Sequence, residues 1–391
     1  MKRIIPLSEP LLSGNEGIYV KECLDTNWVS YRGSFVDRFE KDLASRCGAR
    51  FAVATNSGTA ALHVSLLLAG VKPDTEVVMP AITFVAPGNA VRYCGAWPVF
   101  VDIQETDWQW DVAKLADFLR EGCETRGGAL YNRTTGRQVS ALMPVHLLGD
   151  MCDVDAVAEL GQRYGLPVIE DAAECLGATY KGRGLAAPVH ALDPSRRFVA
   201  SSFNGNKIAT TGGGGVIFTD DSAMAARARH LTTTAKSGDL EFFHDELGYN
   251  YRLTNVAAAI GVAQLERLDE FIAIKRAHAD LYRTAFEGQA GIAPNPESEH
   301  GRAIFWLYTI LLDGPSLPVI RELNERGIGS RPIWTPLYDL PEFAGRCMTW
   351  KCEFAPRFHQ LAASLPSSVG LVETDLREVA AAVLDVIRKR T

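Results

Sequence analysis

The sequence predicts an α/β fold, in which helices flank a mainly parallel sheet, and three observations support this. Short apolar runs alternate with longer segments of helical periodicity. The predicted strands are almost entirely apolar, as expected of strands that helices cover on both faces. The chain has 391 residues, which is too long for one ordinary core, so two domains are expected.

The first part of the chain, residues 1–268, is predicted to be the larger domain. Its predicted strands are residues 51–54, 76–79, 98–101, 141–145, 167–169, 198–203 and 215–218. Helical periodicity between them is clearest at residues 60–68, 154–164 and 222–231. This alternation of strands and helices predicts a parallel order for most of the sheet.

The second part, residues 269–391, is predicted to form a smaller α+β domain. One long helical region, residues 255–286, leads into it. It is followed by a strand at 305–312, a helix at 318–326 and a closing helix near 374–389. Because this order of elements differs from that of the first part, we expect a separate architecture.

Composition and charge exclude several classes of protein. Hydrophobic residues make up 47% and charged residues 22%, which is ordinary for a globular protein with a large core. The net charge of −7 gives no electrostatic reason to expect nucleic acid or an anionic membrane as a partner. No apolar run approaches the roughly 20 residues of a membrane span, and the N-terminus lacks the apolar core of a signal peptide. We therefore expect a cytoplasmic protein.

Cysteine and histidine spacing does not indicate a metal site. The eight cysteines are scattered, and we expect most of them to be buried thiols in a reducing compartment. No metal-binding motif connects His146, Asp153 and His190. His146 lies in an apolar run and is expected to be a core histidine.

One lysine, Lys207, carries most of the functional information. It ends the segment SFNGNK at residues 202–207, and four glycines follow at residues 212–215. Small residues let the backbone approach a ligand closely, or simply allow a turn. Most lysines are solvated surface groups, but burial among apolar strands would lower the pKa of this amine and leave it able to attack a carbonyl.

Two further features accompany the lysine. Asp171 ends an apolar strand, at the carboxyl edge where ligands bind in open α/β sheets. A buried carboxylate there needs a partner such as a protonated ring nitrogen, unless it caps the following loop. Residues 56–59 (NSGT) open a helix, so their amides and hydroxyls either hold a phosphate or form an ordinary helix cap.

A lysine, a carboxylate and a phosphate-binding turn are the groups that pyridoxal 5'-phosphate (PLP) requires. The lysine holds the cofactor as a Schiff base, the carboxylate keeps the ring nitrogen protonated, and backbone amides bind the phosphate. In this chain the lysine is Lys207, the carboxylate is that of Asp171, and the phosphate-binding turn is residues 56–59. The sequence therefore predicts an enzyme that acts on carbon–nitrogen bonds.

Motifs along nearly the whole chain resemble the DegT/DnrJ/EryC1/StrS family of sugar aminotransferases. They lie at residues 5–10, 28–30, 56–62, 144–149, 170–174, 248–252 and 365–368. The resemblance implies PLP fold type I (aspartate aminotransferase-like), with a large, mainly parallel-sheet domain and a smaller C-terminal α+β domain.

Within the family, three segments are most similar to the LegC/PglE branch, namely residues 202–215, 131–136 and 231–236. This implies transfer of the amino group of L-glutamate to C4 of a nucleotide-linked 4-keto-6-deoxy sugar, with UDP-4-keto-6-deoxy-N-acetylhexosamine expected. The alternative is an aminotransferase for GDP-4-keto-6-deoxymannose (perosamine-type) or for a dTDP-keto sugar, acting at C3 or C4.

The resemblance also implies roles for single residues. Lys207 would hold the cofactor and move the proton, and Asp171 would pair with the ring nitrogen. Further cofactor contacts are implied for Ser57, Gly58, Thr59, Phe84, Glu174, Ser202 and Asn250. Phe84 would stack on the ring, and Glu174 stands near the cofactor's 3-oxygen, where much of the family has Gln or His.

Assembly and substrate contacts follow from the same resemblance. Asn250 would reach the phosphate of the partner subunit, so a homodimer with shared active sites is expected. Substrate contacts are implied for Tyr31, Asn206 and Arg331. Residues 185–197 replace a shorter segment of the relatives and are expected to shape the mouth of the substrate site.

Two other functions are compatible with the fold. A PLP-dependent sugar dehydratase would carry histidine in place of the Schiff-base lysine, and Lys207 argues against it. A PLP-binding regulatory protein would need an added DNA-binding or membrane segment, which the sequence up to residue 391 does not show.

Overall fold

The computed structural model of the protein describes residues 3–238 and 240–390. The helices are α1 (Glu16–Asp25), α2 (Ser34–Cys47), α3 (Gly58–Leu68), α4 (Val85–Tyr93), α5 (Val112–Asp117), α6 (Val154–Tyr164), α7 (Ser222–Thr232), α8 (Asn255–Glu266), α9 (Leu268–Phe286), α10 (Ser316–Glu325), α11 (Phe354–Leu361) and α12 (Glu373–Arg388). Shorter helical turns lie at Phe118–Gly122, Leu147–Gly149, Pro194–Arg196 and Leu337–Asp339.

The strands are named in the same way along the chain. They are β1 (Phe51–Thr55), β2 (Glu76–Pro80), β3 (Trp97–Val101), β4 (Cys123–Arg126), β5 (Ala129–Asn132), β6 (Val139–Leu142), β7 (Val168–Asp171), β8 (Thr179–Tyr180), β9 (Arg183–Gly184), β10 (Arg197–Ser202), β11 (Gly215–Thr219), β12 (Lys236–Ser237), β13 (Phe243–His244), β14 (Ile292–Ala293), β15 (Gly301–Arg302), β16 (Tyr308–Leu312), β17 (Arg331–Pro332), β18 (Met348–Trp350) and β19 (Ala362–Leu365).

The central sheet has eight strands in the order β1-β11-β10-β7-β6-β2-β3-β18. All neighbours from β10 to β18 pair in parallel, and only β11 runs against its two neighbours. The predicted mainly parallel sheet is therefore confirmed. Because β11 is antiparallel to both β1 and β10, these two strands and β7 end at one edge of the sheet, where β11 begins.

Helix boundaries in this layer follow local capping chemistry. Helix α6 begins after Asp153, whose carboxylate accepts a hydrogen bond from the Ala156 amide at 3.1 Å. It ends at Gly165, whose φ of 68° is the left-handed conformation that favours glycine. Helix α7 begins in the same way after Asp221, which accepts from the Met224 amide at 2.8 Å.

Several predicted boundaries differ from the structure by a residue or two, and three differences have a clear physical reason. The strand predicted at residues 141–145 ends at Leu142, because Pro144 has no amide hydrogen to continue the ladder. The strand predicted at 305–312 begins only at Tyr308, since Phe305 has a φ of 49° that no extended strand accepts. The helical region predicted at 255–286 is two helices, which meet at Arg267 with φ −112° and ψ 4°.

A second hydrophobic core lies in the C-terminal part of the chain. The antiparallel sheet β14-β16-β19-β17 and the helices α9, α10 and α12 supply most of its residues, among them the fully buried Tyr282, Tyr308 and Leu323. Strand β18 nevertheless joins the large sheet, and Phe358 belongs to the large core. The C-terminal part thus contributes to both cores, and the predicted boundary between 1–268 and 269–391 stays a prediction.

Two properties bear on the class of protein. No helix within residues 3–238 and 240–390 combines the length and the apolar character that crossing a membrane requires. Each of the eight cysteines lies in the described part of the chain and is a free thiol. Six of them are buried, as the sequence analysis expected for most of them.

Candidate active site

A cavity of about 470 Å³ opens at the carboxyl edge of the central sheet. Its walls bring together every predicted site residue except Tyr31 and Asn250. The lining residues are Leu7, Ser57, Gly58, Thr59, Leu62, Thr83, Phe84, Ala86, Pro87, Asp171, Ala173, Glu174, Ser202, Asn204, Asn206, Lys207, Gly213, Gly214, Trp306, Leu307, Arg331, Pro332, Ile333, Trp334 and Ser364.

Lys207 follows β10 in a tight turn, in which its amide donates to the carbonyl of Asn204 at 3.0 Å. Its Nζ lies 3.8 Å from Glu174 Oε1 and 3.8 Å from the ring centroid of Trp306. Burial lowers the pKa of Lys207, although the carboxylates of Glu174 and Asp171 act in the opposite direction. The predicted shift toward a neutral, nucleophilic amine is therefore confirmed in direction.

Asp171 is the last residue of β7 and is only 4% exposed. Its Oδ1 accepts a hydrogen bond from the Ala173 amide at 3.0 Å, which is the local capping contact that the sequence left open. Burial raises the pKa of Asp171, while this hydrogen bond and the charge of Lys207 lower it. A carboxylate so placed on a cavity wall is stabilised by a bound cation such as a protonated ring nitrogen.

Glu174 connects the lysine to a neighbouring loop. Its Oε2 accepts from the amide of Leu148 at 2.8 Å, and its Oε1 faces Lys207 Nζ. Burial raises the pKa of Glu174 to about 7. Since burial lowers the pKa of Lys207 and raises that of Glu174, the two pKa values lie closer together than those of a free lysine and a free glutamate.

Two contacts of this cluster escaped the sequence analysis. Leu148 has a φ of 59°, an uncommon conformation for leucine, and this backbone geometry aims its amide at Glu174. Trp306 lies within the strand predicted at residues 305–312, whereas in the structure its ring faces Lys207. Neither contact leaves a signal in the sequence, because each depends on a local backbone turn.

The N-terminus of α3 forms another wall of the cavity. Ser57 is its N-cap and accepts from the Ala60 amide at 3.1 Å, so the ordinary capping role is present. A Cβ at Gly58 would lie 2.8 Å from the Cβ of Ser202, so only glycine fits there. The hydroxyl groups of Thr59 and Ser202 thus line the cavity beside first-turn amides that have no acceptor within the helix.

These residues fit PLP. The cavity combines an amine, a carboxylate and a helix N-terminus, and its wall includes the ring of Phe84, which is 55% exposed. The close approach at Gly58 leaves a cradle beside the hydroxyl of Ser202 that suits a phosphate. When bound, PLP supplies a carbonyl that exchanges amines and a ring that stabilises negative charge at the reacting carbon.

The two remaining predicted residues lie elsewhere in this chain. Tyr31 lines a separate cavity of about 540 Å³. Asn250 is exposed, forms an isolated β-bridge with Thr233, and accepts a hydrogen bond from Asn56 Nδ2 at 3.2 Å on its carbonyl. Their predicted roles, and those of the other site residues, stay predictions.

Residues 185–197 are not among the described residues that line the Lys207 cavity. They pack behind it, where Arg197 donates to Glu170 Oε1 at 2.6 Å and to the carbonyl of Ala187 at 2.7 Å. His146 lies on the other side of Glu170 at 3.1 Å and is fully buried, which confirms it as a core histidine. Within this chain, the segment braces β7 and does not form the mouth of the cavity.

Comparisons with known proteins agree with this geometry. Residues 12–384 match the sequence model of the DegT/DnrJ/EryC1/StrS aminotransferase family. The GDP-perosamine synthase of Caulobacter vibrioides is 38% identical over 388 residues, covering 98% of each chain. That of Vibrio cholerae is 32% identical over 381 residues, covering 96% of this chain and 97% of the relative. The crystal structure of the aminotransferase TlmJ from Streptoalloteichus hindustanus covers 100% of both chains, with a TM-score of 0.88 and 27% identity.

These findings confirm the predicted fold type, cofactor and kind of enzyme. They do not assign the chain to the LegC/PglE branch in particular, because the relatives described above are GDP-perosamine synthases. The parallel sheet, the cavity at its carboxyl edge and the match over residues 12–384 lead to one conclusion. The chain belongs to the DegT/DnrJ/EryC1/StrS family and is a PLP-dependent aminotransferase of nucleotide sugars.

Proposed function

We propose that the enzyme transfers the amino group of L-glutamate to C4 of GDP-4-keto-6-deoxymannose. The observation that carries this proposal is the similarity to GDP-perosamine synthases over almost the entire chain. It favours the GDP-linked alternative over the UDP-linked substrate that the LegC/PglE resemblance implied. A UDP-linked 4-keto-6-deoxy-N-acetylhexosamine is the second candidate, which the motif at residues 202–215 favours.

In this proposal Lys207 and Asp171 carry the chemistry. Lys207 Nζ holds the cofactor and then moves the proton from Cα of glutamate, which its lowered pKa favours. Asp171 keeps the ring nitrogen protonated, and Glu174, 3.8 Å from the lysine, takes up or returns a proton. The phosphate is held by four residues of the cavity wall, namely Ser57, Gly58, Thr59 and Ser202, and Phe84 stacks on the ring.

Substrate contacts are proposed for Arg331 and Asn206, which line the same cavity. Arg331 lines the cavity and is an exposed residue, and a guanidinium group binds a carboxylate or a diphosphate through two parallel hydrogen bonds. Both the glutamate donor and the sugar nucleotide offer such an anion. The carbonyl of Asn206 is already engaged by Ser8 and Trp306, each at 2.8 Å, so its neighbourhood is rigid.

We further propose a homodimer with shared active sites in the cytoplasm. Asn250 lies outside the cavity of its own chain and on the surface, from where it can reach the phosphate of a partner. The segment before it exposes large apolar side chains, namely Leu240 at 98%, Phe242 at 89% and Leu247 at 76%. Exposed apolar clusters of this kind mark interaction surfaces. Tyr31 would contact the partner's substrate from the same side.

The role of Asp171 predicts that Asp171→Asn binds the cofactor but loses most of its activity. An amide cannot keep the ring nitrogen protonated, and loss of a buried charge pair costs about 3–5 kcal/mol. That corresponds to a rate loss of roughly 150- to 5,000-fold, measured in single turnovers with glutamate.

A matched control is Asp150→Asn. Asp150 is a second buried carboxylate whose pKa burial raises, but its partners are Ser298 and Met151, outside the cavity. This variant should be less stable but should react with glutamate in single turnovers at a near-normal rate. Near-normal single-turnover rates in Asp171→Asn would remove Asp171 from the mechanism.

The substrate proposal predicts which keto sugar is aminated. The enzyme is incubated with ¹⁵N-labelled glutamate and a panel of GDP-, UDP- and dTDP-linked 4-keto-6-deoxy sugars, and the products are identified by mass spectrometry. The GDP-linked sugar should gain the label fastest, at C4. Faster labelling of the UDP-linked N-acetyl sugar would select the second candidate, and release of 2-oxoglutarate without labelling of any sugar would refute the substrate class.

Shared active sites predict the activity of a mixed dimer. If one subunit carries Lys207→Ala and the other Asn250→Ala, one site holds both lesions and the other holds neither. The verified heterodimer should therefore recover about half the activity of the parent dimer, whereas each homodimeric variant should be impaired. An inactive heterodimer, or a fully active monomer by light scattering, would contradict the arrangement.

A further inference from the structure

Lys275 is a buried lysine that the proposed mechanism does not use. It lies on α9 and is 3% exposed. Its Nζ donates hydrogen bonds to two backbone carbonyl groups from distant parts of the chain, those of Trp306 and Ser367. Burial lowers its pKa to about 7. An unbranched apolar side chain of similar length would fill this space without the desolvation cost of burying an amine. The lysine therefore differs from a packing residue in its two hydrogen bonds.

The first of these hydrogen bonds leads directly to the active site. Lys275 fixes the backbone of Trp306, and the indole Nε1 of Trp306 donates to the carbonyl of Asn206 at 2.8 Å. The face of the same indole lies 3.8 Å from Lys207 Nζ. A cation over an aromatic face is stabilised by the ring, so the position of Trp306 affects the charge on Lys207.

The second hydrogen bond reaches the same place by another route. Ser367, whose carbonyl accepts from Lys275, donates its amide to the carbonyl of Leu7 at 2.8 Å. The next residue, Ser8, donates its hydroxyl to the carbonyl of Asn206, also at 2.8 Å. The two routes from Lys275 therefore meet on one carbonyl, in the residue immediately before Lys207.

We propose that Lys275 is a positioning residue for Lys207. By joining the carbonyl groups of Trp306 and Ser367, it holds the two donors that fix Asn206, and it keeps the indole over the Lys207 amine. This inference rests on the proposed role of Lys207 as the lysine that binds the cofactor.

The expected consequence is a change in the protonation of Lys207. The titratable neighbours that act on it are Glu174, Asp171 and Cys175, and all of them favour its charged form. The Trp306 face adds a further stabilisation of the charge, which is lost if the indole moves. Without Lys275, the pH at which the cofactor-bound nitrogen of Lys207 loses its proton should fall by about 0.5 to 1 unit.

The experiment measures that midpoint in the cofactor-loaded enzyme, by titrating its visible absorption band with pH. Lys275→Met and Trp306→Leu should each lower the midpoint, and the double variant should lower it no further than Trp306→Leu alone. The matched control is Lys114→Met, which breaks the bonds of a partly buried lysine to Asp102 and Lys351 near β18 and should leave the midpoint unchanged. Thermal unfolding of each variant records the purely structural loss.

Two results would overturn the proposal. One is an unchanged midpoint in Lys275→Met when Trp306→Leu shifts it, since Lys275 would then serve stability alone. The other is full additivity in the double variant, since Lys275 would then act independently of Trp306. If Lys275→Met does not fold, Ser8→Ala decides the question, because it removes one donor to Asn206 from a half-buried position. A smaller shift in the same direction supports the proposal, and no shift overturns it.

The role of Lys207 itself is tested separately in the same assay. Lys207→Ala should lack the lysine-dependent visible band altogether. If the band persists in that variant, the assignment of the cofactor lysine is wrong. If Lys207→Ala loses the band while Lys275→Met leaves the midpoint unchanged, the assignment stands and only the positioning role of Lys275 fails.

Discussion

The structure depends on one constraint, the burial of an amine and two carboxyl groups in a single cavity at the carboxyl edge of a parallel sheet. Removal from water disfavours the charged form of each group, so the pKa of Lys207 falls while those of Asp171 and Glu174 rise. A ligand that brings a cationic ring nitrogen and an anionic phosphate offsets this cost. The same burial that disfavours these charges therefore prepares the lysine as a nucleophile and favours the binding of a ligand with complementary charges.

The sheet topology makes this burial possible. Strands β1, β7 and β10 end at one edge, although the groups that follow them are far apart in the sequence. Strand β11 then starts between them, and a Cβ at Gly215 would lie 2.3 Å from the carbonyl of Ser57. Glycine is therefore needed for this close approach, which brings the turn before α3 to the start of β11, the neighbour of β10.

Much of this arrangement could be predicted from the sequence because it follows local rules. Apolar runs mark buried parallel strands, and residues at their carboxyl ends meet at one edge, so Asp171 and Lys207 could be placed in one site. The contacts of Trp306 and Lys275 could not be predicted from the sequence. They depend on the turn at Phe305, with its φ of 49°, and on carbonyl groups distant in the chain. In the sequence, Lys275 looks like any solvated lysine on an amphipathic helix.

The identity of the nucleotide was also beyond the sequence motifs. They imply a UDP-linked substrate, whereas the relatives described above are GDP-perosamine synthases, on which the proposal of a GDP-linked substrate rests. The type of reaction and the choice of substrate thus depend on different groups of residues. In the proposed mechanism the buried groups near Lys207 carry the chemistry, whereas Arg331 and the proposed partner subunit select the sugar nucleotide.

The central claim is that Lys207 is the residue that holds the cofactor. Its most direct test is reduction of the cofactor-loaded enzyme with borohydride, followed by digestion and mass spectrometry of the labelled peptide. The account predicts loss of the visible absorption band and a cofactor label on the peptide that contains Lys207. A label on Lys181 or Lys236 instead would contradict it.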